Sequence, residues 1–291
     1  MTYCVGIKLN QGMVFLSDTR TNAGVDLINR FRKMTVFEVS GERTIVLMTA
    51  GNLSISQSVV QRLQMQGGDS NTSLWNVRNM FDAAQLVGQA IREVHEVDAQ
   101  ALKDFDMNFN VSFIVGGQIK GEEMRLFQVY AAGNFIEATA ENPFFQIGEA
   151  KYGKPILDRV ITTDLSLDDA AKCALVSMDS TLQSNISVGL PLDLLVYEFD
   201  ALRVTKFSRI TDENPYFQMI HREWGKRLRN TFEEIPQPIW NTHPDLSVSD
   251  DSDTFVRPII AQRRSNTTPT APSETAGAPE LGQSTVIQTM A

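Results

Sequence analysis

The stretch MTYCVGIKLNQGMVFLSDTR, residues 1–20, places two short apolar runs on either side of a turn, with a threonine directly ahead of the first run. Runs 3–9 and 13–18 have strand composition, and Asn10, Gln11 and Gly12 between them are typical of a turn. The sequence therefore predicts that the chain opens on a β-hairpin. Because no linker separates Thr2 from the first strand, we expect the sheet to hold this residue rigidly.

Blocks of strands and blocks of helices alternate along the chain that follows. A second strand pair is followed by two helices, a second group of strands by another helix pair, and a last hairpin closes the pattern. Segregated blocks of this kind favour antiparallel sheets covered by helix pairs, an α+β arrangement, over a parallel βαβ array. The predicted strands are 33–39, 44–50, 109–119, 124–131, 143–147, 192–199 and 202–207, and the predicted helices are 53–66, 74–94 (after a break at Gly67-Gly68-Asp69), 152–161 and 167–182, the last with Ser166 as its N-cap.

The end of the chain divides into a helix and a segment of different composition. An amphipathic pattern at 215–235 predicts one more helix. From residue 236 onward lie seven of the eleven prolines, together with Ser/Thr-rich runs, a composition typical of disorder. We therefore expect one domain over 1–240, with the helix 215–235 inside it, and a disordered tail at 241–291.

Charge and composition exclude several classes of function. A formal charge of −9 argues against nucleic acid or an anionic membrane as the main partner. The chain shows neither a secretory signal pattern nor a run of the ~20 apolar residues needed for a membrane span, so we expect a cytoplasmic location. Cys4 and Cys173 are expected to be buried thiols, and His95, His221 and His243 lack metal-ligand spacing. No cofactor or metal is expected.

Thr2 can carry chemistry if the methionine before it is removed. Methionine aminopeptidase normally cleaves Met1 when a small residue follows, which leaves Thr2 with a free α-amine beside its hydroxyl. A hydroxyl needs an adjacent base at neutral pH, and an N-terminal amine with an ordinary pKa of about 7.7–8.0 can serve as that base. Lys33 could lower the proton affinity of the amine, and Asp18 could hold Lys33 in place by ion pairing.

Four pieces of sequence, taken together, resemble one family. They are Thr2, "SDTR" at 17–20, "RKM" at 32–34 and "TAGN" at 49–52. Their order and spacing resemble the proteasome β-subunits. The runs "MTYCVGIKLNQG" and "LSDTRTNAGVD" are more closely similar to the bacterial proteasome-like group called Anbu, for ancestral β-subunit. This resemblance covers about residues 2–235.

The resemblance implies a fold, an activity and a set of site residues. The fold is a four-layer αββα sandwich of the N-terminal-nucleophile (Ntn) hydrolase type, and the activity is that of a threonine peptidase acting on peptides or unfolded proteins. Subunits of the family enclose their sites in assemblies, so we expect a homo-oligomeric ring or spiral. The implied site residues are Thr2 as nucleophile and base, Asp18 and Lys33 as its supporting pair, Gly51 as an oxyanion donor through its N–H, and Thr21 and Asn22 along the substrate edge.

The chain departs from the family pattern at two places. Proteasome β-subunits carry a serine in a Gly-Ser-Gly turn where this chain has Gly148-Glu149-Ala150. They also carry an aspartate and a serine after the fourth helix, and counting back from Asp193 through Gly189 puts Asn185 and Val188 at those two positions. An asparagine can accept a hydrogen bond but supplies no charge, so the proton affinity and orientation of the amine are expected to differ. These changes are compatible with weak or specialised activity.

Each piece also has a purely structural interpretation. Asp18 and Arg20 could form a strand-end ion pair, Lys33 could be solvated, and Gly51 with Asn52 could be a strand-to-helix turn in which Asn52 is the N-cap. Two other functions also stay open. One is an amidase or acylase that uses the same nucleophile on a small amide. The other is a non-catalytic, self-assembling scaffold. The sequence contains no readable signal for docking an ATPase partner.

Overall fold

The computed structural model describes residues 2–23, 27–66 and 72–238. Strands and helices follow one another in blocks, as the sequence predicts. In chain order the elements are β1 (Tyr3–Leu9), β2 (Gly12–Asp18), β3 (Arg20–Ala23), β4 (Leu27–Arg30), β5 (Met34–Val39), β6 (Arg43–Gly51), α1 (Leu53–Met65), α2 (Met80–Asp104), β7 (Val111–Ile119), β8 (Arg125–Val129), β9 (Phe135–Glu137), β10 (Phe144–Gly148), α3 (Lys154–Val160), α4 (Leu167–Ser184), β11 (Leu192–Glu198), β12 (Lys206–Ile210) and α5 (Pro215–Glu234).

Two five-stranded antiparallel sheets form the centre of the fold. The first has the order β10-β1-β2-β11-β12, the second has the order β5-β6-β7-β8-β9, and β3 and β4 form a separate hairpin. The opening hairpin predicted from the sequence is confirmed, because β1 and β2 pair from Cys4 opposite Ser17 to Leu9 opposite Gly12. Thr2 therefore lies directly before a central strand of the first sheet.

Three apolar clusters show how the layers stack. Helices α1 and α2 cover the outer face of the second sheet, where Val87 packs in the same cluster as Leu47. Helices α3, α4 and α5 cover the outer face of the first sheet, where Val5 is buried. The inner faces meet in a third cluster that includes Phe15 and Ile114. The predicted four-layer αββα sandwich is confirmed. In β1, β2, β6 and β7 nearly every residue is buried, because successive apolar side chains point to opposite faces and both faces are covered.

Helix N-caps set where the helices begin. Ser166 accepts a hydrogen bond from the N–H of Asp169 at 3.1 Å, which confirms it as the N-cap of α4. Helix α2 begins at Met80, later than predicted, because the side chain of Asn79 accepts from the N–H of Asp82 at 2.8 Å and caps the helix there. The buried Leu74 matches the helical apolar spacing but lies in the turn before α2.

Helix α2 also continues to Asp104, past the predicted end at residue 94. Short strands account for several other differences from the sequence predictions. The hairpin of β3 and β4 and the three-residue β9 were not predicted, because segments of three or four residues are too short to establish a period. Strand β12 begins at Lys206 and not at residue 202. Asp200 and Leu202 adopt positive φ angles of 61° and 46°, which extends the turn before the strand.

The last helix is confirmed, although its apolar stripe is only partly covered. Phe217 and Ile220 are buried against the first sheet's helices, whereas Leu228 and Phe232 are 56% and 72% exposed. Within the described ranges, no helix has the length and apolarity that crossing a membrane requires. The predicted break at Gly67-Gly68-Asp69 and the predicted tail at 241–291 lie outside the described residues.

Both cysteines are buried thiols, as the sequence predicts. Burial raises the pKa of Cys173 to about 11 and also raises the pKa of Cys4. Both groups therefore stay protonated at neutral pH and act as small apolar side chains.

A buried carboxylate in the first sheet has a stability cost that can be measured. Asp193 in β11 lies directly opposite Ser17 in β2, and among the described residues neither Asp193 Oδ1 nor Ser17 Oγ has a hydrogen-bond partner. Arg209 is 3.8 Å from Asp193 Oδ1. Burial raises the pKa of Asp193, and the positive charges of Arg209 and Arg32 oppose that effect.

Replacing Asp193 with asparagine is expected to stabilise the fold at pH 7 by about 1 kcal/mol, because the change removes a buried charge and offers Ser17 a donor. A raised pKa contributes stability at low pH that is lost as pH rises through the folded-state value. The gain in Asp193→Asn should therefore shrink towards pH 4. Urea unfolding at both pH values measures it, and a variant less stable than the wild type at pH 7 would contradict the prediction.

Candidate active site

A buried ion pair lies where the two sheets approach each other. Lys33 Nζ donates to Asp18 Oδ1 at 2.6 Å and to the carbonyl oxygen of Arg20 at 2.6 Å. The side chains of Lys33 and Asp18 are 3% and 0% exposed. Asp18 also accepts from the backbone N–H of Tyr3 at 3.0 Å and of Gly189 at 3.3 Å. Burial raises the pKa of Asp18, whereas the Lys33 ammonium and the two N–H groups lower it.

The ion pair is positioned by the ends of strands from both sheets. Asp18 is the last residue of β2, opposite Leu192 in β11. Lys33 directly precedes β5, and its carbonyl accepts from the N–H of Thr49 in β6 at 3.0 Å. Because Lys33 Nζ and the N–H of Tyr3 bind the same oxygen atom of Asp18, the ammonium lies beside the backbone that joins Tyr3 to Thr2.

Thr2 is held between β2 and β10. It is 7% exposed, and its carbonyl oxygen accepts from the N–H of Glu149 at 2.7 Å. Gly148 has a positive φ of 85°, and a Cβ there would overlap the carbonyl oxygen of Thr2. Glycine is therefore required at 148 for β10 to approach the residue so closely.

Thr2 opens onto a cleft of about 780 Å³. Gly51 borders it at the end of β6 with a φ of 108°, and a Cβ there would overlap the carbonyl oxygen of Asn110. Asn52 is the N-cap of α1, as the structural interpretation of this segment proposes, and accepts from the N–H of Ser54 at 3.0 Å. The side chains that line the cleft are uncharged, and the lining residues are Thr2, Thr21, Ala50, Gly51, Asn52, Leu53, Met107, Asn110, Ser112 and Gly148.

Arg20 does not form the strand-end ion pair with Asp18 that the sequence left open. Its Nη1 donates to the carbonyl oxygen of Ile186 at 2.8 Å. Its guanidinium also fills the space beside Gly189, where a Cβ would overlap it. Arg20 thus holds the segment after α4 close to β3. The same segment contains Gly189, whose N–H donates to Asp18.

A second carboxylate lies at the β10 end of the site. Glu149 Oε2 accepts from Asn185 Nδ2 at 2.5 Å, and Asn185 Oδ1 accepts from the N–H of Ser187 at 2.9 Å. Glu149 and Asn185 are 8% and 9% exposed. Glu149 and Asn185, two of the residues at which the sequence departs from the proteasome pattern, are therefore hydrogen-bonded to each other, and the N–H of Glu149 contacts Thr2.

Comparison with known proteins places the chain in a family. The family model described as Proteasome subunit matches residues 2–195. The chain belongs to the proteasome family. "Proteasome subunit beta" of Halorubrum lacusprofundi is 22% identical over 217 residues, which cover 72% of this chain and 79% of that protein.

Within the proteasome family, comparison with solved structures places the chain in the Anbu group. Anbu from Yersinia bercovieri is 50% identical, with a TM-score of 0.76, and the match covers 81% of this chain and 99% of that one. The structure described as a helical assembly of the Anbu complex from Pseudomonas aeruginosa is 47% identical, with a TM-score of 0.78 and coverage of 83% and 100%. The resemblance stated from the sequence is thereby confirmed.

The structure brings most of the proteasome-type site residues named from the sequence to one place. Thr2, Gly51 and Thr21 line the cleft, the Asp18–Lys33 pair lies beside Thr2, and Asn22 lies in β3 opposite Ile28. The sequence did not indicate the backbone groups of the site, namely the Arg20 carbonyl and the Gly189 N–H. Nor did it indicate Asn110, Met107 and Ser112 across the cleft. Backbone donors and acceptors leave no residue signature, so only the fold could identify them.

Proposed function

We propose that this proteasome-family protein is a threonine peptidase that hydrolyses peptide amide bonds with Thr2 after removal of Met1. One observation supports this proposal most strongly: Lys33 Nζ and the N–H of Tyr3 donate to the same carboxylate oxygen of Asp18. That arrangement keeps a buried positive charge next to Thr2 at the edge of an open cleft. A threonine with structural roles alone would need neither the cleft nor a desolvated ammonium beside it.

In this proposal the hydroxyl of Thr2 attacks the scissile carbonyl carbon and passes its proton to its own α-amine. The N–H of Gly51 donates to the oxyanion that develops. The protonated α-amine of Thr2 then gives its proton to the departing amine of the substrate. Water hydrolyses the ester that is left on Thr2. Lys33 stabilises the alkoxide character of the hydroxyl in the transition state, and Asp18 orients Lys33.

The substrate is proposed to be an extended peptide that lies along the cleft as an added strand beside Thr21 and Asn22. One observation supports a substrate contact at Thr21. Thr21 is one of the residues that line the cleft. The uncharged lining favours peptides whose side chain at the cleavage point is neutral.

Self-association and a cytoplasmic location complete the proposal. An exposed hydrolase site of this kind is hazardous among other proteins, and the Pseudomonas aeruginosa relative forms a helical assembly. The exposed Leu228 and Phe232 of α5 offer apolar area for a contact between copies. We therefore propose a homo-oligomer in which the clefts are enclosed.

Intact-mass analysis before and after treatment with a peptide epoxyketone tests this function. The wild type is expected to lack Met1 and to gain the mass of one reagent molecule at Thr2, because the reagent reacts with both the hydroxyl and the amine of a terminal threonine. A mature chain that keeps Met1 would overturn the proposal and favour the non-catalytic scaffold. Loss of Met1 with turnover of small acyl-amides and of no peptide would favour the amidase.

A further inference from the structure

Glu149 follows β10 at the corner of the candidate site. Its N–H donates to the carbonyl oxygen of Thr2 at 2.7 Å, so the two residues face each other across the pairing of β1 and β10. The N–H of Tyr3 points to the other side, towards Asp18 in β2, at 3.0 Å. Thr2 immediately precedes β1, so the contact between its carbonyl oxygen and the N–H of Glu149 brings its backbone nitrogen close to Glu149.

Two side chains hold the carboxylate of Glu149 in place. One oxygen accepts from the neutral amide of Asn185 at 2.5 Å, and the other lies 3.5 Å from Lys151 Nζ. The Glu149 side chain is 10% exposed, whereas that of Lys151 is 67% exposed. Water screens an exposed lysine, so Lys151 offsets only part of the negative charge.

This inference rests on the proposed function, because it concerns the amine that appears when Met1 is removed. We propose that Glu149 is a positioning residue whose carboxylate receives the α-ammonium of Thr2, orients it towards the Thr2 hydroxyl and holds its proton. The family resemblance implies a serine at this place in proteasome β-subunits. A hydroxyl orients an amine without adding charge, so Glu149 makes the base of this protein differ in proton affinity and not only in geometry.

The other charged side chains near Thr2 are already engaged elsewhere, so Glu149 is the carboxylate that can bind the α-amine of Thr2. On the β2 side, the charge of Asp18 is neutralised by Lys33, which comes from the segment before β5. In β3, the guanidinium of Arg20 donates to the backbone carbonyl of Ile186. The segment after β10 contributes Lys151. Helix α4 presents its carbonyl end, which adds a partial negative charge in the same sense as Glu149.

The effect on activity has a definite sign. The amine must be neutral before it can accept the proton of the hydroxyl, and a nearby carboxylate favours its protonated form. Activity is therefore expected to rise with pH along an acid limb whose midpoint lies higher than it would without Glu149.

A pH profile of kcat/KM for a fluorogenic peptide amide separates this role from a structural one. Glu149→Gln removes the charge and keeps an acceptor oxygen for Asn185, and the midpoint of the acid limb is expected to fall by about one pH unit. Lys151→Met is the matched control, because it removes the cation that screens Glu149. Its midpoint is expected to rise by about 0.3 pH unit. A structural role would lower kcat/KM in Glu149→Gln at every pH and leave the midpoint in place.

Carbamylation of the amine by cyanate supplies a second readout that needs no turnover. Mass spectrometry of the N-terminal peptide gives the pH of half-maximal labelling at Thr2, which is expected to fall in Glu149→Gln and rise in Lys151→Met. Equal labelling midpoints in wild type and Glu149→Gln would overturn the positioning role while the proposed peptidase stands. A wild type that shows no Thr2 amine to label would overturn the proposed function itself, and this inference with it.

Discussion

Replacing Thr2 with alanine is expected to lower kcat/KM for short peptide amides by about 10⁴-fold or more and to abolish the epoxyketone adduct. The variant loses the hydroxyl and the γ-methyl group but keeps the α-amine, because methionine aminopeptidase also removes Met1 before alanine. Knocking out a catalytic nucleophile elsewhere costs activity on that scale, and the residual rate reflects binding and the oxyanion donor. Initial rates at saturating and subsaturating peptide measure the loss.

Two comparisons make the Thr2→Ala result specific. Thr2→Ser keeps a hydroxyl beside the amine and is expected to retain a measurable part of the activity and the adduct. The free energy of unfolding should change little in either variant, because the hydrogen bond between residue 2 and the N–H of Glu149 is made by the backbone. Peptide hydrolysis that survives unchanged in Thr2→Ala would place the nucleophile elsewhere and contradict the proposal.

Much of the fold follows from local pattern. The β1–β2 hairpin, α1, α4 and α5 follow from turn residues, N-caps and apolar spacing. Those signals act over a few neighbouring residues, so they can be read directly from the chain. The hairpin of β3 and β4 lacks such a signal because each strand has four residues.

The candidate site likewise contains residues that the sequence identifies and contacts that only the fold reveals. Side chains that carry charge or a hydroxyl, such as Thr2, Asp18 and Lys33, could be named from the sequence with the help of the family resemblance. The bond from Asn185 to Glu149 joins residues 36 positions apart, and the Gly189 N–H reaches Asp18 across 171 positions. Such contacts depend on how β10 and the segment after α4 meet at the end of β1, which only the packed sheets determine.

Breaking the buried ion pair is expected to have the largest effect on stability. Lys33→Met leaves the fully buried carboxylate of Asp18 with two backbone N–H donors and no cation. Asp18→Asn leaves the ammonium of Lys33 with neutral acceptors, the Arg20 carbonyl among them, and no counter-charge. Removing one partner of a buried pair typically costs about 3–5 kcal/mol, because an uncompensated charge stays in the interior. Each variant should also lose most peptidase activity, since both groups support the hydroxyl of Thr2 in the proposed mechanism.

The double variant Asp18→Asn/Lys33→Met decides whether the loss comes from the unpaired charge. If it does, the double variant should lose less free energy of unfolding than the two single variants lose in total, because neither charge remains to be desolvated. Urea unfolding of the four proteins closes the cycle. Additive losses would mean that packing, and not the charge, accounts for the cost.

The pH dependence of Lys33→Met follows from the same carboxylate. Burial already raises the pKa of Asp18, and Lys33 is the first of the groups that oppose this effect, so the variant should have a higher Asp18 pKa than the wild type. A group whose pKa is raised by folding contributes stability at low pH that is lost as pH rises through the folded-state value. Relative to the wild type, Lys33→Met should therefore lose less stability near pH 4 than at pH 7. Urea unfolding at these two values measures the difference, and a stability deficit equal at both would mean that Asp18 does not carry the uncompensated charge.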